Sequence, residues 1–292
     1  MTVVADAHVR PERVGAGRLK ALARATGRNV GLVAGVVILL AMLGAAYFAP
    51  LGVDPLTPDI ASTLQPPSHA HWFGTDRVGF DVFSRTIFSA RRDIPLAIAA
   101  TLFSVALGVP LGLFAASGRW GERFMRGVDV FQALPTVVLA IVIVQLAGQG
   151  SVVIILAIAI VNVPRFTRLV RSEAISLREV RFVEAAIATG CSPARVLVNH
   201  ILRNAYGIVL VQCSLVAANS IIVIAALNFL GLGFSPPEPT WGSMIQAGAQ
   251  SMAQGQWWIA VFPGVAVFIA VMSFNLIADG LEHIFYPSGG RH

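Results

Sequence analysis

Charged side chains are scarce in this chain of 292 residues, in which 12% of residues are charged and 56% are hydrophobic. Soluble domains carry about 25% charged residues. A membrane-spanning helix needs roughly 20 mostly apolar residues. A soluble protein that buried so many apolar helices would need a core larger than this chain can enclose, so the sequence predicts an all-α integral membrane protein. Five long stretches contain no Asp, Glu, Lys or Arg: 29–53, 94–118, 130–164, 204–237 and 239–278.

Lysine and cysteine are also rare, and both absences exclude functions. Lys20 is the single lysine and does not follow a glycine, which excludes a Gly-x-x-x-x-Gly-Lys-Ser/Thr phosphate loop and hence the usual way of binding ATP. Cys191 and Cys213 are predicted in an inner loop and a membrane helix, where a structural disulfide is not expected and small apolar packing is favoured. His69 and His71 lack a third ligand, so a metal site is not favoured.

The charge-free stretches predict six membrane helices. The first, second and fourth hold one helix each, and the third holds two that are separated by Gly148-Gln149-Gly150. The fifth begins with a Gly/Gln/Trp-rich stretch and ends in a helix. In the first helix, Gly27, Gly31 and Gly35 are spaced by four, which would let another helix approach closely. The predicted organisation is a basic tail (1–28), a first helix (29–50), an outer segment (51–93), a core of five helices (94–282) with a loop over 165–204, and a tail (283–292).

The distribution of arginine and lysine predicts the orientation. With the N-terminus inside, the inner segments hold 17 basic residues and the outer segments hold four. Basic residues concentrate on the cytoplasmic side of membrane proteins, so both termini are predicted to be cytoplasmic. The net charge of +6 therefore reflects topology rather than a nucleic-acid partner, because the arginines are spread over several loops.

The inner loop over 165–204 predicts a helix, a sharp break and a second helix. Apolar residues recur at helical spacing up to Ile187, and Gly190 is placed to end that helix. Ser192-Pro193 then provides an N-cap and a first-turn proline. Glu184, Ala185 and Ala186 form a carboxylate beside two small side chains, a surface that another protein can approach closely. The short amphipathic helix must finish burying its apolar face against lipid or a partner.

The outer segments are rich in charge, glycine and proline. Asp76 and Asp81, with Arg77 and Arg85, are predicted to pair or to cap turns rather than to bind substrate directly. The stretch from Gly231 to Gly242 contains too much Gly and Pro for a continuous helix, which predicts a re-entrant or surface loop at the outer mouth. Trp241, Trp257 and Trp258 suit the aromatic belt at the membrane interface.

Together these motifs resemble the permease subunits of ABC importers. Glu184-Ala185-Ala186-x-x-x-Gly190 resembles the family's EAA motif, although Arg203 stands where the family pattern has Pro after Ile201-Leu202. Residues 74–85 resemble the outer GTDxxGRDxxSR segment of the dipeptide/oligopeptide subfamily, with Phe80 in place of the usual Arg. Residues 229–242 resemble an outer loop of that subfamily's C-type subunit. The resemblance covers about residues 25–286.

The resemblance implies a type I ABC importer transmembrane domain in a bacterial plasma membrane. It implies coupling to the ATPase through Arg181, Glu184, Ala185, Ala186, Gly190 and Ser192. It implies an outer mouth, where a binding protein docks, that includes Asp76, Asp81, Arg85, Gly231, Pro236, Pro237 and Trp241.

The partners implied are a second, B-type permease subunit, two ATPase subunits or domains and an extracytoplasmic peptide-binding protein, with no nucleic acid. This chain would bind no cofactor itself, because ATP and Mg²⁺ would sit on the ATPase subunits. The cargo implied is short peptides, with nickel, glutathione or haem-like solutes as alternatives.

Three other function classes are less favoured. An ion-coupled secondary carrier would need mid-membrane charges or matched broken helices, and Asp129 and Asp279 are predicted at the inner membrane edge instead. A membrane-embedded enzyme would need a nucleophile–base pair or a metal cluster, and the sequence contains no such motif. A structural anchor would not need the loop over 165–204.

Overall fold

The computed structural model describes residues 14–178, 202–234 and 237–286. The only strand-like pairing in these residues is a single bridge between Thr75 and Asp81, so the predicted all-α class is confirmed. A 3-10 turn covers Ile60–Ser62. The helices are α1 (Val14–Phe48), α2 (Val82–Ala115), α3 (Gly118–Phe131), α4 (Thr136–Ala147), α5 (Ser151–Arg178), α6 (Arg203–Phe229), α7 (Trp241–Met252) and α8 (Trp258–Phe285).

Five helices contain segments long and apolar enough to cross a membrane. A sixth crossing requires α3 and α4 together, and these two helices are bent by 86°. The prediction of six crossings therefore holds if α3 and α4 together are counted as one crossing. The five segments are Val30–Phe48, Val82–Ala115, Ser151–Leu177, Ala205–Phe229 and Trp258–Phe285.

The bend between α3 and α4 has a local cause. Pro135 precedes α4, and a proline disfavours helical backbone in the residue before it, here Leu134. With 12 residues, α4 is about 18 Å long, which is less than the roughly 30 Å of a bilayer core. The predicted break after α4 is confirmed, because Gly148 and Gly150 have φ values of 94° and 130°.

Three helix boundaries differ from the charge-based prediction. Helix α1 begins at Val14 inside the predicted tail, α2 begins at Val82 rather than near residue 94, and α5 continues through Arg165 to Arg178. Charge-free runs locate the apolar part of a membrane helix. The backbone helix continues beyond that part wherever polar side chains find partners or water.

Small residues bring the helices into close contact. A Cβ atom added to Gly35 of α1 would lie 2.5 Å from the carbonyl oxygen of Ser273 in α8, and one added to Gly31 would lie 3.8 Å from that of Leu276. The predicted close approach is therefore confirmed at Gly35, whereas a methyl group at Gly31 would make only an ordinary van der Waals contact. Helix α2 packs in the same way on α5, its most extensive partner, where a Cβ at Gly112 would lie 2.7 Å from Cβ of Val170.

Candidate functional site

The outer segment forms a hairpin that leads into α2. Asp76 accepts hydrogen bonds at its Oδ1 from the amides of Val78 and Phe80, both at 2.9 Å. At Gly79, where φ is +94°, the hairpin approaches the backbone of Asp59 so closely that a Cβ would collide with it. The hairpin is therefore fixed by its own carboxylate and by close backbone packing.

Asp81 ends the hairpin and starts α2. Its Oδ2 accepts a hydrogen bond of 2.7 Å from the amide of Ser84, and its Oδ1 lies 3.0 Å from Nδ1 of His71. A carboxylate at the N-cap satisfies a free amide and interacts favourably with the helix dipole. The predicted capping role of Asp76 and Asp81 is thus confirmed.

Arg85 joins two outer segments that are distant in sequence. Its guanidinium donates hydrogen bonds of 3.0 Å to the carbonyl oxygen of Pro55 and 3.1 Å to that of Pro237, and the side chain is buried. The guanidinium also lies 3.8 Å above the ring of Phe80. Phe80, the residue that departs from the subfamily pattern, thus packs on Arg85.

Two further arginines hold the rim together. Arg77 donates a hydrogen bond of 2.6 Å to the carbonyl oxygen of Gln250, near the end of α7. Arg92 pairs with Glu238 and lies 4.6 Å from the ring centre of Phe234. The outer charges thus act mainly as contacts between segments.

Helix α7 is anchored to α2 through Trp241. The backbone amide of Trp241 donates a hydrogen bond of 2.9 Å to Oδ2 of Asp93, and its indole Nε1 donates one of 2.9 Å to the carbonyl oxygen of Thr86. Asp93 and Trp241 are each 1% exposed. Thr240 and Ser243 complete a capping box at the start of α7. A buried carboxylate thus holds the N-terminus of a short helix at the outer mouth.

The loop after α6 is organised by Asn228. Its Nδ2 donates to the carbonyl oxygen of Ile224 at 2.8 Å, and its Oδ1 accepts from the amide of Phe234 at 3.3 Å. Gly231 turns the chain with φ of +74°. Pro237 is exposed, and Pro236 lies outside the described residues. Residues 231–234 and 237–240 are therefore non-helical, as predicted, whereas Trp241 and Gly242 already belong to α7.

The prediction of an interfacial belt is wrong for two of the three tryptophans. Trp241 is 1% exposed and Trp258 is 8% exposed, whereas Trp257 is 48% exposed. The indole of Trp258 donates to the carbonyl oxygen of Thr75 at 3.2 Å. Trp241 and Trp258 are buried because the indole N–H of each donates to a backbone carbonyl oxygen inside the protein. Neither therefore needs water at the membrane interface as a hydrogen-bond partner.

The predicted coupling residues lie outside the described residues. They are Arg181, Glu184, Ala185, Ala186, Gly190 and Ser192, all within 179–201. The structure places the two helices that flank them: α5 ends at Arg178 and α6 begins at Arg203. Arg203 is the first residue of α6, so the residue that departs from the EAA pattern is compatible with helix.

Residues 108–288 match the model of the family described as binding-protein-dependent transport system inner membrane component. The chain belongs to this family. Membership accounts for the membrane helices and makes the chain a permease subunit of an ABC importer, a component that is not itself catalytic. It also implies ATPase and substrate-binding partners.

Curated relatives match almost the whole chain. It is 38% identical over 264 residues to the dipeptide transport system permease protein DppC of Alkalihalophilus pseudofirmus, covering 89% of this chain and 86% of that protein. It is 35% identical over 262 residues to the probable D,D-dipeptide transport system permease protein DdpC of Escherichia coli, covering 88% of each. A putative peptide permease protein of Brucella suis is 36% identical over 274 residues, covering 91% of each.

Asp93 is a site residue that the charge-free runs do not predict. The run begins at residue 94 and leaves Asp93 in the outer segment, although the sequence contains a signal for its position. Asp93 follows Thr86 and Ser89 and precedes Ala97 at helical spacing, and all four residues are buried on one face of α2. Extending the periodic pattern backwards from the apolar run would have placed Asp93 on the buried face.

Proposed function

We propose that this permease subunit transports short peptides, forming half of a pathway with a second, B-type permease subunit. The observation that carries this proposal is 35–38% identity, over about nine tenths of the chain, to relatives whose names specify dipeptide or peptide transport. These names favour peptides over nickel, glutathione or haem-like solutes.

Energy would come from two ATPase subunits or domains that bind ATP and Mg²⁺. The single lysine is not placed in a phosphate loop, so this chain needs such a partner. Residues 184–190 would form the helix that docks on the ATPase, with Gly190 as its hinge. The 17 basic residues of the inner segments support a cytoplasmic location for this helix and for both termini.

A peptide-binding protein would dock on the outer surface that Arg85 and Asp81 organise. In support, Arg85 contacts the carbonyl oxygens of Pro55 and Pro237 and also the ring of Phe80 in the hairpin, so it holds these outer segments next to one another. Trp241, Asp76 and Asp81 would act indirectly by holding this surface in shape, whereas exposed residues such as Pro237 and Gly231 would make contact.

ATP binding would close the pair of ATPase subunits. This closure would draw the two coupling helices together and open the pathway outwards. Hydrolysis would then reset the permease subunits to the inward-open state. The physical requirement is that ATP binds the two states with different affinities.

Reconstitution of the complete complex in proteoliposomes tests this proposal. We expect uptake of a radiolabelled peptide that requires ATP and the binding protein and that is lost in Gly190→Trp, while the variant still inserts and assembles. Glu184→Lys should weaken recovery of the ATPase in detergent. Normal uptake by Gly190→Trp together with unchanged ATPase recovery by Glu184→Lys would contradict the proposed coupling helix.

A further inference from the structure

A polar cavity of about 390 Å³ lies at the bend between α3 and α4. One wall is a face of α5 that carries Val161, Arg165 and Arg168, which are spaced by four and three residues. The other walls come from the end of α3, the linker and the start of α4. The cavity therefore lies where the membrane crossing is broken.

The cavity contains one arginine that has no partner in the described part of the chain. Nη2 of Arg168 lies 2.7 Å from Oδ1 of Asp129, which forms a complete ion pair. Arg165 lines the same cavity, is half-buried, and has no hydrogen bond or ion pair to any described residue. Among the described residues, two arginines therefore face one carboxylate, which leaves one positive charge without a counter-ion from that part of the chain.

Two other groups support an anionic ligand that also carries hydrogen-bonding groups. Oε1 of Gln132, a lining residue, is buried without a partner in the described residues. Thr136, the first residue of α4, also lines the cavity, and the N-cap residue Pro135 provides no side-chain cap. The positive end of the α4 dipole therefore adds to the charge of Arg165.

The position of Arg165 within α5 argues against exposure to lipid. It is the fifteenth residue of α5 and belongs to the segment Ser151–Leu177, which is long and apolar enough to cross a membrane. Arginines within membrane segments face water-filled cavities or protein and mark substrate pathways. A broken helix beside such a residue is a common setting for a substrate site in transporters.

We propose that this cavity is part of the translocation pathway and binds the carboxylate of the transported solute, with the guanidinium of Arg165 as its main partner. This assignment rests on the proposed function for its cargo, in which the carboxylate is the C-terminal end of a peptide. Arginine suits this task because its planar fork donates two parallel hydrogen bonds to a carboxylate. Gln132 would bind a neighbouring polar group of the peptide backbone.

The test uses the complete complex in phosphatidylcholine nanodiscs, without nucleotide or binding protein. The probe is a benzophenone-bearing tripeptide with either a free C-terminal carboxylate or a C-terminal amide. We expect light-induced labelling of residues 129–139 by the acid, and about tenfold less labelling by the amide, because a hydrogen bond to a charged group is stronger than one to a neutral group. Arg165→Gln should lower labelling by the acid to the level of the amide, and Arg165→Lys should give an intermediate level.

Arg126→Gln is the matched control, because Arg126 is an exposed arginine of α3 that does not line the cavity. Its labelling should equal that of the wild type. Equal labelling by acid and amide in the wild type, or unchanged labelling in Arg165→Gln, would overturn the assignment. The assignment would also be overturned if phosphatidylglycerol competed with labelling by the acid and Arg165→Gln lost bound phosphatidylglycerol. The anion bound in the cavity would then be a lipid phosphate.

Uptake by the wild-type complex separates this inference from the proposed function. If the complex accumulates peptide but labelling does not distinguish acid from amide, only the cavity assignment fails. If acid-selective labelling at residues 129–139 persists but no peptide accumulates, the carboxylate site stands and the peptide cargo is wrong.

Discussion

The backbone amide of Trp241 donates a 2.9 Å hydrogen bond to the carboxylate of Asp93, and both residues are almost completely buried. This bond joins the first turn of α7 to the outer part of α2. Its partner residues lie 148 positions apart in sequence. The position of α7 at the outer mouth therefore depends in part on a buried carboxylate that the apolar pattern of the sequence conceals.

Asp93→Ala should destabilise the outer mouth. The substitution leaves the amide of Trp241 buried without an acceptor, a loss of about 1–3 kcal/mol. Thermal unfolding in detergent should show a lower Tm. Asp93→Asn should lose less, because its carbonyl oxygen can still accept the bond. Equal Tm values for Asp93→Ala and the wild type would show that Trp241 does not depend on Asp93.

Gly112→Ala should weaken the packing of α2 on α5. The new methyl group would lie 2.7 Å from Cβ of Val170 and 2.8 Å from the carbonyl oxygen of Thr167. Overpacking of this kind costs about 1–3 kcal/mol. Gly127→Ala in α3 is the control, because nothing lies within 4 Å of its new methyl group. The prediction is wrong if denaturant titrations give the two variants the same stability.

Gly35→Ala should separate α1 from α8. Its methyl group would lie 2.5 Å from the carbonyl oxygen of Ser273, whereas Gly44→Ala, in the same membrane segment, meets nothing within 4 Å. Cysteines introduced at neighbouring positions of α1 and α8 report how close the two helices lie. We expect their disulfide to form more slowly in the Gly35→Ala variant than in the Gly44→Ala variant. Identical rates would contradict close packing at Gly35.

Arg85→Lys should loosen the outer surface although it keeps the charge. An ammonium group lacks the planar fork with which Arg85 contacts the carbonyl oxygens of Pro55 and Pro237. Limited proteolysis should cut the variant faster than the wild type within residues 54–80. Arg119→Lys, at an exposed position of α3, is the control and should be cut at the wild-type rate.

The sequence predicts the helices better than their ends or their partners. Apolar runs reveal membrane helices because lipid requires apolar side chains and an internally hydrogen-bonded backbone along the whole segment. Charge-free runs do not predict the start of α2 at Val82, because they exclude Arg85 and Asp93, each of which has a partner from a distant segment. Trp241 was misplaced for the same reason, since only the fold shows that a backbone acceptor meets its indole.

The candidate site also contains some features that the sequence predicts and others that it does not. Caps such as Asp81 are local, so spacing alone predicts them. The cavity around Arg165 was not predicted, because it depends on the bend at Pro135, which brings the end of α3 next to α5. The coupling residues 184–190 stay a prediction from sequence, because they lie outside the described residues.

Cross-linking at position 186 of the complete, transporting complex tests the central claim most directly. A photoreactive amino acid in place of Ala186 should capture the ATPase, and one in place of Trp72, which is 63% exposed in the outer segment, should not. Failure to capture the ATPase at position 186, or uptake of solute by this chain without any ATPase, would contradict the account.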